Sequence, residues 1–270
     1  MNTVAIVGVG LIGGSFALAL RKAGFTGRIV GVSSAATIEA ALTRNVIDEA
    51  LPLAEAAAQA DLIYLAQPIE RILETLGVLD RDVRAGAVIT DAGSTKAMIC
   101  QRAADVIQRA RFIGGHPMAG KESRGVDAAD ADLFQGRPYV LTAREPDLEN
   151  WIQAIGARLV ILDPAEHDRL VALVSHLPQL LSTALASVIA EQPGSAQVAG
   201  PAASDLTRLA LSPYEIWRDI FSTNAPSIDA ALGTYIARLE TLRVQLRSPE
   251  MERVFEKASA SARELRRMPQ

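Results

Sequence analysis

The chain has 270 residues, 49% hydrophobic and 21% charged, which leaves room for one large domain or two modest ones with a buried core. A net charge of −4 gives no footprint for nucleic acid or for an anionic membrane surface. The single cysteine, Cys100, excludes an internal disulfide and fits a reducing, cytoplasmic compartment.

Met1 to Thr3 lead straight into the apolar run Val4-Ala5-Ile6-Val7, so no secretory leader is expected. Short apolar runs at residues 4–8, 28–32, 62–66, 87–91 and 111–115 predict strands. The segments between them carry apolar residues at helical spacing, as at Ile69, Ile72, Leu73 and Leu76. Strand–helix alternation of this kind predicts an α/β fold with a doubly wound parallel sheet. Two further strands are expected at residues 139–142 and 159–162. After Asp163-Pro164 the pattern turns helical, which divides the chain into residues 1–163 and 164–270. Pro193-Gly194 and Ser212-Pro213 break the second part into separate helices. Residues 170–190 are apolar enough to resemble a membrane span. Ser175, His176, Pro178 and Gln179 near the middle favour a buried core helix instead. That helix is more apolar than a domain of about 100 residues easily covers alone, so a homodimer through the C-terminal helices is expected. From about Glu252 the chain is polar and charged, as in an exposed helix or a frayed end.

The first predicted strand runs into Gly8-Val9-Gly10-Leu11-Ile12-Gly13, and a helix follows. In that context a G-x-G-x-x-G loop is a dinucleotide site. The first glycine permits the tight turn, the second admits a pyrophosphate, the third allows close helix–strand packing, and the helix N-terminus favours negative charge. Gln67, Pro68 and Gly93, which follow two later strands, are assigned to the same cofactor. The tip of the second strand reads Ser33-Ser34, where an NAD-binding chain would carry an acid. Two hydroxyls and no repelling carboxylate favour NADP over NAD, although no arginine follows directly.

Three histidines are present. His167 and His176 are nine residues apart, and at about 100° per residue they fall on opposite faces of one helix; with Cys100 remote, no metal site is expected. No G-x-S-x-G elbow occurs. His116 stands in Gly114-Gly115-His116-Pro117-Met118-Ala119-Gly120-Lys121-Glu122, directly after a predicted strand. Asp91-Ala92-Gly93-Ser94-Thr95-Lys96 holds the same kind of position after the preceding strand. Ligands of open parallel sheets bind beyond the carboxyl ends of the strands, so both loops are expected to face the nicotinamide crevice. A lone histidine is commonly structural; one flanked by glycines at a strand end favours catalysis.

These motifs, together with Ser175-His176-Leu177-Pro178-Gln179 and the segment from Thr207-Arg208 to Trp217-Arg218-Asp219-Ile220-Phe221, resemble the prephenate/arogenate dehydrogenase family of tyrosine biosynthesis over nearly the whole chain. The resemblance implies a Rossmann domain followed by an all-helical dimerisation domain. It implies His116 as catalytic base with Ser94 as its hydrogen-bonding partner. It implies His176, Gln179 and Arg208 as substrate-binding residues, and Glu122 in an ion network with the arginine at the pocket mouth. Ser33 departs from the acid of NAD-using members. Neither a chorismate mutase nor an ACT domain is expected among these residues.

The implied chemistry suits the residue types. Hydride leaves the carbinol carbon of a cyclohexadienol, the hydroxyl proton needs a base working near neutral pH, and carbon dioxide leaves as the ring becomes aromatic. An arginine fork is the natural partner for a carboxylate. Trp217 reads as core or interface. Two other readings stay open. A β-hydroxyacid-type dehydrogenase would carry a lysine on its first long helix after the Rossmann domain, and residues 164–190 have none. A nicotinamide-sensing protein without turnover would not need the histidine, serine and arginine set. Prephenate and arogenate are not distinguished.

Overall fold

The computed structural model describes residues 1–267. Chain order opens with β1 (Thr3–Val7), α1 (Leu11–Lys22), β2 (Arg28–Val32), α2 (Ala35–Thr43), β3 (Glu49–Ala50), α3 (Leu53–Gln59), β4 (Leu62–Leu65), α4 (Ile69–Leu79), β5 (Val88–Asp91), α5 (Ala97–Val106) and β6 (Arg111–Ile113). These six strands form one parallel sheet in the order β3-β2-β1-β4-β5-β6. Every residue of β4 and β5 is buried, as expected of central strands covered by helices on both faces. Strand order reverses between β1 and β4. A doubly wound sheet binds its ligand at such a switch point, outside the carboxyl ends of the strands.

The expected strand at 111–115 ends early. Gly115–Pro117 forms a separate strand, β7, which pairs antiparallel with β8 (Pro138–Leu141), and β8 pairs parallel with β9 (Arg158–Ile161). His116 therefore sits in a strand of a small second sheet rather than in a loop. The break is made by the two glycines. Gly114 accepts the Thr142 backbone N–H and donates its own N–H to the Thr142 hydroxyl, and a Cβ on Gly115 would stand 2.5 Å from the Asp91 carbonyl oxygen. The two sheets share a core in which Phe16 stacks on Tyr64 at 4.1 Å and Tyr139 donates a 3.2 Å hydrogen bond to the Tyr64 hydroxyl. α6 (Pro146–Ala154) precedes β9.

Beyond β9 the described chain is helical: α7 (Pro164–Val171), a π-helical turn at Ala172–His176, α8 (Leu177–Ala190), α9 (Pro201–Thr207), α10 (Tyr214–Gln245) and α11 (Glu250–Arg267). Pro178 has no N–H for the carbonyl four residues back, and the wider π turn absorbs that mismatch where a kink would otherwise form. Pro226 acts more sharply on α10, where Asn224 leaves helical geometry at φ −131° and ψ 22°. The chain divides into two compact units. The first comprises Met1–Asp168 with Arg218–Thr223, and the second comprises Arg169–Trp217 with the chain from Asn224 onward. One division thus falls at the Asn224 break, and another lies inside α7, after Asp168.

The helix through Pro164–Ala190 is long and apolar enough to cross a membrane by length and composition alone. The expected burial is only partial, since 28% of its most apolar window is covered. Val174 and Val188 on this helix, and Leu206, Leu211, Ile236 and Leu239 elsewhere in the second unit, are exposed. α11 has no buried residue.

Candidate active site

The glycine loop joins β1 to α1. Gly8 has φ +96°, and a Cβ there would meet the Ala66 carbonyl oxygen at 2.5 Å. On Gly13 a Cβ would overlap the Gly8 carbonyl oxygen, whereas Gly10 faces open space. The first turn of α1 has neither a side-chain cap nor an acidic residue, so its N–H groups are available to an anion. Leu11 and Ile12 open that turn and are half-buried. An open cleft of about 520 Å³ is lined by Gly8, Gly10, Ser33, Ser34, Gln67, Pro68 and Arg71, among others. Ser33 is exposed at the tip of β2. Ser34 caps α2, pairing with the Thr37 hydroxyl at 2.9 Å. Gln67 accepts a 2.8 Å hydrogen bond from Thr75. Arg71, on the first turn of α4, pairs with Glu74 at 2.6 Å.

At the carboxyl end of β5 lies a buried ion pair between Asp91 and Lys96, both side chains fully covered. Asp91 also accepts from the Gly93 N–H at 2.8 Å and the Gly115 N–H at 3.0 Å. The Lys96 ammonium donates to the Gly115 carbonyl at 2.7 Å. The pair thereby fastens β7 to the end of β5, one residue before His116. His116 is buried, and its Nδ1 lies 2.8 Å from Nε2 of His167. His167 Nδ1 lies 2.8 Å from Asp168 Oδ1. Asp168 also accepts the backbone N–H groups of Lys96 at 2.7 Å and Ala97 at 2.9 Å, capping α5 from a different element.

In the second unit His176 is buried. Its Nδ1 lies 3.3 Å from the Asn224 amide, and its ring meets Trp217 edge-on at 6.0 Å. Gln179 donates to the Leu209 carbonyl at 2.9 Å, and Ser182 accepts the Ala210 N–H at 3.0 Å. These bonds hold the short turn Arg208–Leu211 against α8, and the Arg208 side chain is exposed on that turn.

Residues 16–166 match the family model described as prephenate dehydrogenase, nucleotide-binding domain, and residues 163–259 match prephenate dehydrogenase, dimerization domain. The chain belongs to the prephenate dehydrogenase family. It is 37% identical over 231 residues to the prephenate dehydrogenase of Lactococcus lactis, an alignment covering 83% of this chain and 65% of that protein. It is 30% identical to the cyclohexadienyl dehydrogenase of Zymomonas mobilis, over 96% of this chain and 94% of that one. Among solved structures, the Aquifex aeolicus prephenate dehydrogenase bound to hydroxyphenyl propionate and NAD+ superposes with a TM-score of 0.90 at 29% identity, covering 98% of both chains. The Synechocystis arogenate dehydrogenase gives a TM-score of 0.86 at 31% identity, over 97% of this chain and 99% of that one. A 3-hydroxyisobutyrate dehydrogenase of Mycobacterium tuberculosis, at 16% identity and a TM-score of 0.53, shares the fold alone.

The structure gives several expected site residues the following partners. Nδ1 of His116 is engaged by His167, not by Ser94. The Ser94 hydroxyl is half-buried and has no hydrogen-bond partner among the described residues. Glu122 is exposed and makes no ion pair among the described residues, while its neighbour Lys121 pairs with Asp130 at 2.7 Å. Gly93 is buried, and its N–H donates to the Asp91 carboxylate at 2.8 Å. Gln179 is engaged in holding the Arg208 turn. His167, Asp168, Lys96 and Arg71 are the members that sequence inspection passes over. The signal for His167 was its place at the start of a helix directly after a strand. The signal for Arg71 was its place one turn after the strand at the switch point.

The buried pair generates a stability prediction. Lys96→Met leaves a buried carboxylate without its cation and is expected to cost about 3–5 kcal/mol in urea unfolding. Adding Asp91→Asn should recover part of the loss. A single variant within about 1 kcal/mol of the parent would remove the pair as the anchor of β7.

Proposed function

We propose that this chain oxidises prephenate, arogenate or both, passing hydride to a nicotinamide dinucleotide in tyrosine biosynthesis. The observation that carries the reading is His116, a buried histidine at the carboxyl end of the sheet, fastened in place by the Asp91–Lys96 pair beside it. The glycine loop and the uncapped turn of α1 fit a pyrophosphate, and the bound nicotinamide would accept the hydride. His116 takes the hydroxyl proton as the ring carbon becomes a ketone. The ring carboxylate then departs as carbon dioxide, and the ring gains aromaticity. Arg208 is exposed and makes no ion pair among the described residues, which suits it to hold a substrate carboxylate with both arms of its fork. His176 is assigned to the substrate, with Gln179 positioning the Arg208 turn. Ser94 is assigned to the substrate hydroxyl.

NADP is the inferred cofactor. No carboxylate stands at the tip of β2, Ser33 is exposed there, and the N-terminus of α2 opens at Ser34. Arg71 lines the same cleft and supplies the cation missing from the Ser33-Ser34 segment itself. The exposed aliphatic side chains of the helical unit support a homodimer through the C-terminal helices, and the match of residues 163–259 to a dimerisation domain agrees with it. A cytoplasmic location suits the lone thiol of Cys100, which burial pushes up to about 11 and so makes unreactive.

Each of these readings carries its own test. Initial rates of nicotinamide reduction with prephenate and with arogenate should show turnover with at least one. His116→Asn should lower kcat by about 100-fold or more with cofactor affinity nearly unchanged. Arg208→Ala should raise the KM for the ring acid about 10-fold with a smaller change in kcat. Absence of turnover with either acid, or a fully active His116→Asn, would sink the assignment. For the cofactor, Ser33→Asp and Arg71→Ala should each lower the NADP/NAD ratio of kcat/KM by about 10-fold; an unchanged ratio in both would move selection elsewhere. Light scattering at micromolar concentration should give the mass of two chains, and a monomer there would refute the dimer.

A further inference from the structure

His116 can act as a base only through a ring nitrogen that carries a lone pair, and a neutral imidazole has one such nitrogen and one N–H. Which nitrogen is which depends on the partner of the other. We propose that Asp168 and His167 are positioning residues that fix His116 as its Nδ1–H tautomer, leaving the lone pair on Nε2 for the substrate hydroxyl; the proposal rests on the reading of His116 as the base.

An ionised carboxylate only accepts hydrogen bonds. Asp168 Oδ1 accepts the Lys96 N–H at 2.7 Å, and its Oδ2 accepts the Ala97 N–H at 2.9 Å, at the positive end of α5. His167 Nδ1, 2.8 Å from Oδ1, must therefore be the donor of that bond. A neutral His167 protonated at Nδ1 has its lone pair on Nε2. That nitrogen lies 2.8 Å from His116 Nδ1, so the proton between the two rings belongs to His116. The order is thus His116 Nδ1–H to His167 Nε2, then His167 Nδ1–H to Asp168 Oδ1.

Burial makes the order strict. His167 is wholly covered and Asp168 is 3% exposed, so the reversed polarity would place a proton, or a lone pair, against its own kind without water to relieve it. When His116 takes the hydroxyl proton, its Nδ1–H already points down a chain that ends in a carboxylate, and the new positive charge is shared along it. A buried carboxylate does the same for the histidine of a serine-protease triad, here with one more ring between them. The carboxylate has a second task. By capping α5 at Lys96 and Ala97 it also sets the end of the loop that carries Ser94. One side chain therefore orients the base and the loop beside it.

The test uses the full chain with 15N-labelled histidine. Long-range 1H–15N correlation reads the protonation of each ring nitrogen, and His116→Asn, His167→Gln and His176→Gln assign the three rings. The expected wild-type spectrum above neutral pH has His116 and His167 both in the Nδ1–H form. His167→Leu should shift His116 toward Nε2–H and lower kcat about 10-fold or more, with the ring-acid KM within about twofold. His167→Gln can accept from His116 with its carbonyl and donate to Asp168 with its amide, so it should restore the Nδ1–H form and much of kcat. Wild-type His116 found as Nε2–H would overturn the proposal, and so would a folded His167→Leu that kept both the tautomer and kcat. Should His167→Leu not fold, the wild-type and His167→Gln spectra decide alone. An Nδ1–H His116 in a chain whose His116→Asn variant turns over normally supports the tautomer chain and removes only its use as a base.

Discussion

A lysine ammonium with no exposed surface is the constraint on which the site depends. Leaving water costs such a group several kcal/mol unless an ion and further acceptors meet it. Lys96 meets the Asp91 carboxylate and the Gly115 carbonyl, and Asp91 in turn meets the N–H groups of Gly93 and Gly115. Each bond ends on backbone of β7 or of the loop after β5. The polypeptide cannot shift there without leaving a charge or a backbone group unsatisfied. This explains why two glycines precede His116. The backbone of β7 must approach Asp91 closely enough to share its carboxylate, and a Cβ at Gly115 would be too near the Asp91 carbonyl.

The same approach accounts for the second, smaller sheet. Thr90, Asp91 and Gly115 crowd at the point where the parallel sheet ends, so the chain leaves β6 and finds new partners in β8. Tyr64 on β4 and Tyr139 on β8 bridge the two sheets through their hydroxyls. A phenol pair can do this in an apolar core because each ring fills volume while one donor and one acceptor satisfy each other. The Phe16 ring packed on Tyr64 ties α1, and with it the glycine loop, into the same cluster.

Periodicity made most of the parallel sheet legible, because buried central strands are continuous apolar runs. Glu49–Ala50 was not legible: a two-residue edge strand has neither length nor apolar pattern. The break between β6 and β7 was hidden because glycine pairs mark turns and close packing alike. Gly8, Gly10, Ser33, Gln67 and Pro68, which follow three different strands in sequence, all line one cleft. His116 was legible from its strand end. Its partner was not, since the hydrogen bond to His167 joins residues 51 apart in sequence. Glu122 and Ser94 show the converse: a motif names a residue without fixing what its side chain touches. The π-helical turn at Ala172–His176 breaks the regular helical spacing assumed between His167 and His176, and the two histidines fall in different compact units. Reading the two as one helical pair concealed that His167 bonds to His116 and Asp168 in the first unit.

The phenols and the thiol nearest the Asp91–Lys96 pair are held in their neutral forms. Burial raises the Tyr64 and Tyr139 phenols above their ordinary value; Tyr139 and the Asp91 charge add to the shift at Tyr64, while at Tyr139 the hydrogen bond to Tyr64 offsets part of it and the Asp91 charge adds. Both stay protonated and neutral at any pH an enzyme meets. Burial does the same to the Cys100 thiol, which the Lys96 cation only partly offsets. Neutral phenols and a neutral thiol beside the Lys96–Asp91 pair keep the local field constant as pH changes. In the proposed chain Asp168 acts through His167 on which His116 nitrogen is the base, and the fold reaches that control by placing the start of α7, through Asp168, in the unit that holds the sheet.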